Sequence, residues 1–489
     1  MSTQADMCKT LAASVFTDMK DAPTQISSAE LIEPSGDEPS HCRVRGYIWP
    51  QIGFELKLPD IWNGKFIEIG SGGEGGELSL QVAASWCPTH RGYACIVTDL
   101  GHTGIGGLWA YNNLQAMVDY GYRAAHVAAV AGKAITEHYY GRPPNYSYFQ
   151  GCSTGSRQAL VEAQRFPWDF NGIIAAGVWI DETISTMTLV WGSRALKDET
   201  GKPLLSEEDF QMVRQAVLQR CDLDDGVKDG LIGNPLRCRF DPAVLRCSEQ
   251  RKEVCLTDRQ IEAVRKVYEG PTTSTGVKLS AGGSVPGTEH LWNHYLGGLE
   301  RWPKAYFRGM VIPPAGFQWD LNDFDFDRDY KRFFNGMQES LVNDNNPDLR
   351  MFKNAGGKLM LYVGWNEWSL PKRVIDYHDT VEKTMGGPAA TRDFFRLFMI
   401  PGANHCSGGE GPFAVDFLSY MEAWVERGQA PDMMIGAHVQ TDNPWLLKFP
   451  LRPETPISFT RPLYPYPLWA MYRGRGDTSK AENFKPVGQ

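Results

Sequence analysis

The sequence has several clear absences. No apolar run approaches the roughly 20 residues that a membrane-spanning helix needs. Lysine and arginine are scattered and the net charge is -9, so no basic run is available to neutralise nucleic-acid phosphates. There is no internal repeat, and residues 1–10 lack the basic and apolar regions of a signal peptide. We therefore predict a globular protein that acts on a small molecule, with no nucleic-acid or membrane partner. The sequence indicates no oligomeric state.

The cysteines show no C-x-x-C spacing, which is common in zinc sites, and the sequence therefore disfavours a zinc site. Their number is ten, which is even, and some lie close together, as in Cys221/Cys238 and Cys247/Cys255. This favours disulfides and an extracellular or secretory-pathway location, with ordinary buried thiols as the alternative.

The chain of 489 residues is too long to fold around one simple hydrophobic core, and its pattern of strands and helices changes twice. Residues 1–60 read as antiparallel strands. Further strands at 65–69, 93–98 and 172–177 alternate with helical segments, including one at 120–140. This alternation predicts an α/β core with a mostly parallel sheet.

The alternation stops after residue 179 and returns near residue 346. We predict a first core part at 1–179, an inserted and mainly helical lid at 180–345, and a second core part at 346–489. The second part has expected strands at 358–363 and 395–400 and helices at 372–385 and 413–427. The proline-rich end from residue 442 is expected to wrap the surface.

The motif Gly151-Cys152-Ser153-Thr154-Gly155 follows a predicted strand and precedes a predicted helix. Strand, G-x-S-x-G and helix form the context of a nucleophile elbow, in which the turn exposes the serine hydroxyl and the next amide faces the oxyanion. Ser153 is therefore the candidate nucleophile. The motif alone is weak evidence, because glycine and serine are common in loops.

A serine nucleophile needs a base and an acid. In α/β-hydrolases both follow the serine along the chain, first the acid and then the histidine that acts as the base. His405 directly follows the strand at 395–400, and Glu367 is the only carboxylate in the loop after the strand at 358–363. We predict His405 as the base and Glu367 as the acid. Asp376 and Asp379 lie in the next helix and are expected to be solvated.

Cys152 precedes the candidate nucleophile and Cys406 follows the candidate base. If Ser153 and His405 meet, these cysteines lie close together. A disulfide between them would tie the nucleophile loop to the base loop.

The run from Tyr148 to Gly155, the pair His405-Cys406 and the segment Arg123-Ala124-Ala125-His126 resemble the tannase and feruloyl esterase family. The similarity extends from Cys8 to Phe484. It implies an α/β-hydrolase fold with a lid, and a serine esterase that hydrolyses an aromatic ester. It also implies an oxyanion hole at Gly73, with Gly72 as the alternative, and at the amide of Thr154.

The resemblance implies three more pairs, Cys8/Cys42, Cys221/Cys238 and Cys247/Cys255, in addition to Cys152/Cys406. Cys87 and Cys95 have no such support, so the sequence leaves open whether they are free or paired. It also implies a structural calcium ion in the lid, held by the side chains of Asp222, Asp225 and Asp229 and the carbonyls of Val227 and Leu231. From the residues alone, this segment is an acidic turn without the terminal glutamate of an EF-hand.

The sequence departs from the family at two places near the candidate site. Glu367-Trp368 stands where an aspartate and a proline are usual, and Val363 stands where a histidine is usual. At the start of the lid, Gly177-Val178-Trp179 replaces small residues. The longer acid must be accommodated, and the changed lid start should reshape the cavity.

Two alternatives stay open at this point. Gly70 to Gly75 has the form G-x-G-x-x-G and Asp99 ends the next strand, which is the outline of a dinucleotide-binding oxidoreductase. A relative without hydrolytic activity that binds an aromatic ligand is the other. For an esterase, we expect lid aromatics to stack on the acyl group, and the candidates are Trp191, Trp292, Phe317 and Trp319.

Overall fold

The protein is described by a computed structural model for residues 4–78, 86–249, 254–298, 303, 306, 321–334 and 336–488. Its centre is a nine-stranded sheet with the strand order β1-β2-β3-β5-β4-β6-β7-β8-β9. The first three strands are antiparallel, and β3 pairs antiparallel with β5. The pairings from β5 through β4 and β6 to β9 are parallel. This is the predicted α/β-hydrolase fold with a helical insertion.

The strands of this sheet are β1 Thr24–Ile32, β2 His41–Ile48, β3 Ile52–Pro59, β4 Lys65–Gly70, β5 Ala94–Thr98, β6 Tyr146–Ser153, β7 Gly172–Val178, β8 Lys358–Gly364 and β9 Phe395–Ile400. The central parallel strands are almost wholly buried because helices cover both faces. Side chains alternate between the faces: Phe149 belongs to one apolar cluster and Tyr148 to the other.

The helices that flank the sheet are α1 Gln4–Ala12, α2 Leu114–Val118, α3 Ala124–Tyr140, α4 Thr154–Arg165, α10 Arg350–Asn354, α11 Leu370–Thr384, α12 Pro388–Thr391 and α13 Phe417–Arg427. A π-helical turn, Asp119–Arg123, leads into α3. Small side chains make α3 fit closely: a Cβ on Gly132 would lie 2.7 Å from the Phe66 ring. The helix at 413–427 was predicted four residues too early, because Ala414 bridges to Ala437 and Asp416 caps Phe417–Arg427 through the Ser419 amide.

The segment between β7 and β8 holds helices in its described residues and none of the strands named above. They are α5 Glu182–Ala195, α6 Glu207–Cys221, α7 Asp258–Glu269, α8 Asp329–Phe334 and α9 Met337–Val342. Both α6 and α7 begin with a capping box, formed by Ser206 with Asp209 and by Thr257 with Gln260. No helix in the described residues has the length and apolarity of a membrane span.

The C-terminal segment does more than wrap the surface. It forms two small antiparallel sheets, one of β10 Met434–Val439 with β11 Ile457–Leu463 and one of β12 Trp469–Tyr472 with β13 Phe484–Val487. Tyr466 donates its amide to the Leu397 carbonyl at 2.8 Å, which joins this segment to β9 at the edge of the main sheet.

The structure contains five disulfides: Cys8–Cys42, Cys87–Cys95, Cys152–Cys406, Cys221–Cys238 and Cys247–Cys255. The state of Cys87 and Cys95, which the sequence leaves open, is that of a disulfide pair. The chain turns back between them, which brings Cys87 beside Cys95 on β5 with a Cα–Cα distance of 5.8 Å. All ten cysteines are therefore paired.

Candidate active site

Ser153 lies on a sharp turn between β6 and α4. Its backbone has φ 60° and ψ −125°, a strained conformation for a residue with a side chain. The turn is fixed by Ser156, whose hydroxyl donates to the Ser153 carbonyl and accepts from the Trp179 amide. This is the geometry of a nucleophile elbow, in which strain exposes the serine at the end of the strand.

Three glycines allow this turn to form so close to the neighbouring strand. A Cβ on Gly151 would lie 2.3 Å from the Gly155 carbonyl oxygen, and a Cβ on Gly155 would lie 2.8 Å from the Gly70 carbonyl oxygen. Real Cβ atoms do not approach backbone so closely, so β4, β6 and α4 can meet only with glycine at these positions. The glycines of G-x-S-x-G are thus required by packing as well as by the turn.

His405 and Glu367 form a close pair after neighbouring strands. The Nδ1 atom of His405 lies 2.6 Å from the Oε2 atom of Glu367, and the imidazole N–H donates to the carboxylate. The Glu367 side chain is fully buried, whereas the His405 side chain keeps 18% of its exposure. This hydrogen bond fixes the tautomer, with the proton on Nδ1, and leaves Nε2 able to accept a proton.

The two loops that carry this pair are held together by Asn366. Its side-chain amide donates to the Gly402 carbonyl at 3.1 Å, and its backbone amide donates to the Ala403 carbonyl at 3.1 Å. A Cβ on Gly364 would lie 2.0 Å from that same Ala403 oxygen. The backbones are therefore in direct contact, which fixes the distance between the acid and the histidine.

The disulfide Cys152–Cys406 joins the elbow to the histidine loop, with a Cα–Cα distance of 5.8 Å. A ring nitrogen of His405 and the two sulfur atoms lie within 4.8 Å of one another. Because both sulfurs are in the disulfide, this cluster is not a metal site. It instead places His405 beside the residue that precedes Ser153.

The glycine-rich loop after β4 lies beside the elbow. Gln158, on α4, donates to the Ser71 carbonyl at 2.9 Å and accepts from the Ser71 amide at 3.2 Å. Gly73, two residues later, lines the same cavity as Ser153, and Thr154 is buried at the start of α4. The two predicted oxyanion donors are thus on segments held together by one glutamine.

A cavity of about 490 Å³ opens above Ser153 and His405. Its aromatic walls are Trp179, Tyr295, Trp368 and Trp445. Trp368 is central, with ring centroids 4.6 Å from Tyr295 and 4.9 Å from His405. Flat, apolar ligands suit such walls, because ring faces stack at these distances.

Trp191 and Trp292, two of the four predicted stacking residues, do not line this cavity. Trp191 donates its indole N–H to the Lys266 carbonyl and faces Phe326, and Trp292 is fully buried in the lid core. Phe317 and Trp319 lie outside the described residues. Sequence reasoning missed Tyr295 and Trp445. Only Trp368 and Trp179 carried a signal, since both stand at departures from the family.

The predicted calcium loop is an acidic turn in which Asp222 and Asp225 are buried and Asp229 is exposed. Oδ1 of Asp222 accepts from the amides of Asp229 and Gly230, and Oδ1 of Asp225 accepts from the Val227 amide. Burial raises the pKa of Asp225 to about 7, with Asp229 and Asp222 adding to the effect. Asp229 pairs with Arg461 at 2.6 Å.

The dinucleotide alternative does not fit the fold. Oδ1 of Asp99 accepts from the amides of Gly53 and Gly101, so this carboxylate holds the backbone of its own sheet. Burial raises its pKa to about 6. It is therefore not arranged to bind a ribose, and the sheet order above differs from that of a doubly wound dinucleotide-binding domain.

The chain is similar to known esterases in sequence and in fold. The model of the family described as tannase and feruloyl esterase matches residues 39–487. The chain is 32% identical to an uncharacterized esterase of Xanthomonas campestris pv. campestris, over 99% of this chain and 91% of that protein. It is 30% identical to mono(2-hydroxyethyl) terephthalate hydrolase of Piscinibacter sakaiensis, over 95% of this chain and 86% of that protein. The crystal structure of feruloyl esterase B from Aspergillus oryzae superimposes with a TM-score of 0.87 and 26% identity, covering 99% of this chain and 100% of that one.

Proposed function

Because the chain belongs to the tannase and feruloyl esterase family, we propose that it is a serine esterase that hydrolyses an aromatic ester through an acyl-enzyme. The Ser153 hydroxyl attacks the ester carbonyl carbon while His405 accepts its proton. The tetrahedral adduct then collapses, and His405 returns the proton to the departing alcohol. Water, deprotonated by His405, attacks the acyl-enzyme and releases the acid and Ser153.

The other residues of the site stabilise charge during these steps. Glu367 orients His405 and stabilises the imidazolium that forms each time the histidine takes a proton. The amides of Gly73 and Thr154 are proposed to donate to the oxyanion, in a place fixed before the substrate arrives. The strongest single support for the proposal is the hydrogen bond of 2.6 Å between Glu367 and His405, a histidine that lines the same cavity as Ser153.

The proposed substrate class follows from the cavity walls. Trp179, Tyr295, Trp368 and Trp445 surround a space of about 490 Å³, which matches the 300–1,000 Å³ range of small-molecule sites. An aryl acyl group, such as a benzoate- or cinnamate-like acid, would stack on these rings. Its carbonyl would then lie near Ser153.

One experiment tests the assignment directly. A panel of aryl and alkyl esters is assayed with wild type and Ser153→Ala, and the same proteins are treated with a fluorophosphonate probe. We expect aryl esters to be hydrolysed faster, and both hydrolysis and labelling to be lost in Ser153→Ala. Ser147→Ala, at the start of the same strand, is the control and should retain both. Hydrolysis that persists in Ser153→Ala contradicts the proposal, and a wild type that neither labels nor hydrolyses any ester favours a ligand-binding protein.

We also propose that the acidic turn in the lid binds calcium through Asp222, Asp225 and Asp229 and the carbonyls of Val227 and Leu231. The cation would screen buried carboxylates that otherwise repel one another, and its role would be structural. Thermal melting should therefore fall on chelation and recover with calcium, while the kcat of the folded protein stays the same. Asp225→Asn should abolish the calcium-dependent shift. An unchanged melting curve after chelation contradicts this site.

The five disulfides support a proposed location outside the reducing cytosol. Native protein isolated from its source should then show no free thiols under denaturing titration. Stoichiometric free thiols would place it in a reducing compartment.

A further inference from the structure

The two stretches at which the sequence departs from its family meet in space around the acid. Gly177 and Trp179 lie at the end of β7, where the lid begins, while Glu367 and Trp368 follow β8. The Trp179 and Trp368 rings have centroids 5.9 Å apart. Gly177 also lies beside the Glu367 side chain, because a Cβ at Gly177 would be 3.2 Å from Oε1 of Glu367. The unusual acid and the unusual lid start are therefore neighbours, although they are 190 residues apart by their numbers.

Gly177 has a special backbone conformation. Cys152 pairs with Ala176 across the sheet, and Ser153 pairs with Val178, so Gly177 is the extra residue of a β-bulge. Its φ is +47°, which favours glycine. The bulge lies directly beside the elbow and turns the glycine toward the centre of the site.

The absence of a side chain at Gly177 leaves space for the acid. A Cβ there would lie 3.2 Å from Oε1 of Glu367, 2.9 Å from Sγ of Cys152 and 3.2 Å from the Cys406 amide nitrogen. Oε1 is buried and has no hydrogen-bond partner among the described atoms, so no donor fixes it in place. The position of Oε1 of Glu367 is therefore limited by the space that the missing Cβ leaves at Gly177.

We propose that Gly177 is a positioning residue that allows a glutamate to serve as the acid of this site. An aspartate is one methylene shorter and would leave that space unused. With glutamate, the extra length is accommodated because the bulge residue has no Cβ, and Oε2 still reaches Nδ1 of His405. The inference rests on the proposed function, since it concerns the geometry of its acid and base.

A double-mutant cycle tests this pairing, with kcat and KM measured for wild type, Gly177→Ala, Glu367→Asp and the double variant. A Cβ at position 177 should displace the glutamate and lower kcat about tenfold or more. In the Glu367→Asp background the same change should cost about threefold or less, a coupling within the range for residues in contact. KM should change little, because neither residue lines the cavity.

Gly141→Ala is the matched control, because Gly141 also has a positive φ of +72° but nothing lies within 4 Å of its Cβ position. It carries the backbone strain of the substitution without the contact, and its effect should be the same in both backgrounds. A cycle in which Gly177→Ala costs equally with glutamate and with aspartate overturns the proposal. That result would mean that glycine is required at position 177 only by the bulge and by the nearby disulfide.

The melting temperature provides a second, independent cycle. Glu367→Gln keeps the length of the side chain. Gly177→Ala should therefore lower the melting temperature of Glu367→Gln as much as it lowers that of wild type. It should lower the melting temperature of Glu367→Asp less. If Gly177→Ala does not fold, a folded double variant with Glu367→Asp supports the pairing, and an unfolded one contradicts it. Ser153→Ala separates the two hypotheses. If it is inactive while the cycle is additive, only the role of Gly177 is wrong, and if it is active, the proposed function fails first.

Discussion

Replacement of Glu367 by glutamine should lower kcat strongly while leaving the fold intact. Glutamine keeps the shape of the side chain but removes the charge that faces the imidazolium. A carboxylate and an imidazolium with charge centres about 4 Å apart interact by about 4 kcal/mol at an effective dielectric constant of about 20. That energy corresponds to roughly a thousandfold in rate. Because the His405 side chain keeps 18% of its exposure, water screens part of this interaction. We expect a loss of kcat of about a hundredfold to a thousandfold.

The assay is steady-state hydrolysis of a chromogenic aryl ester, with melting temperatures measured in parallel. Glutamine should not lower the melting temperature much, because Oε1 of Glu367 is a buried carboxylate oxygen without a protein donor, and a neutral amide is less costly to bury. Asp376→Asn is the control, since Asp376 is exposed on α11, the helix that follows the acid loop. If Glu367→Gln and Glu367→Ala both keep kcat within about threefold of wild type, the reasoning about the acid is refuted.

Three further predictions concern the elbow, the disulfide and a buried carboxyl group. Gly151→Ala should prevent the elbow from forming, because its Cβ would lie 2.3 Å from the Gly155 oxygen; soluble yield and probe labelling should both fall, and a normally labelled variant would disprove this. Replacing Cys152 and Cys406 together by serine should lower the free energy of unfolding by roughly 5 kcal/mol, if the disulfide acts by reducing the entropy of the unfolded chain. This is about twice the loss expected for the Cys247–Cys255 disulfide, whose cysteines are only 8 residues apart. An equal loss for both pairs would contradict it. Burial raises the pKa of Glu182 to about 7, from 4.5, so the associated stability is present below pH 4.5 and is lost as pH rises toward 7. Arg157, 3.3 Å from Glu182, opposes part of this rise in the pKa. The stability of Glu182→Gln relative to wild type should thus be roughly 3 kcal/mol greater at pH 8 than at pH 4.5, and an equal difference at both pH values would be inconsistent with this shift.

Local patterns in the sequence were enough for the sheet and the elbow. Buried parallel strands are short apolar runs between turn residues, so β7, β8 and β9 were predicted within a residue at each end. His405 and Glu367 followed from the strand order, since loops at the carboxyl ends of neighbouring strands meet at one edge of the sheet. Their roles in catalysis remain predictions.

Features that depend on distant contacts could not be predicted locally. The start of α13 was misplaced because Ala414 pairs with Ala437, a partner that no local pattern identifies. Trp445 lines the cavity only because the C-terminal segment returns to the mouth of the site. Trp191 and Trp292 are predicted to stack on the acyl group because they are aromatic residues of the lid. Composition, however, does not distinguish a ring in the lid core from one that faces a ligand.

The spacing of the disulfides has a consequence for biosynthesis. Four of them close loops of 8 to 34 residues, so their partners emerge from the ribosome almost together. The partner of Cys152 lies 254 residues further on, beyond the whole lid. In the proposed oxidising compartment, Cys152 would therefore either remain a thiol until Cys406 is made or pair with another cysteine in the meantime. The bond beside the candidate nucleophile is the last that can form, and correct maturation of the site would depend on thiol–disulfide exchange to release any earlier partner.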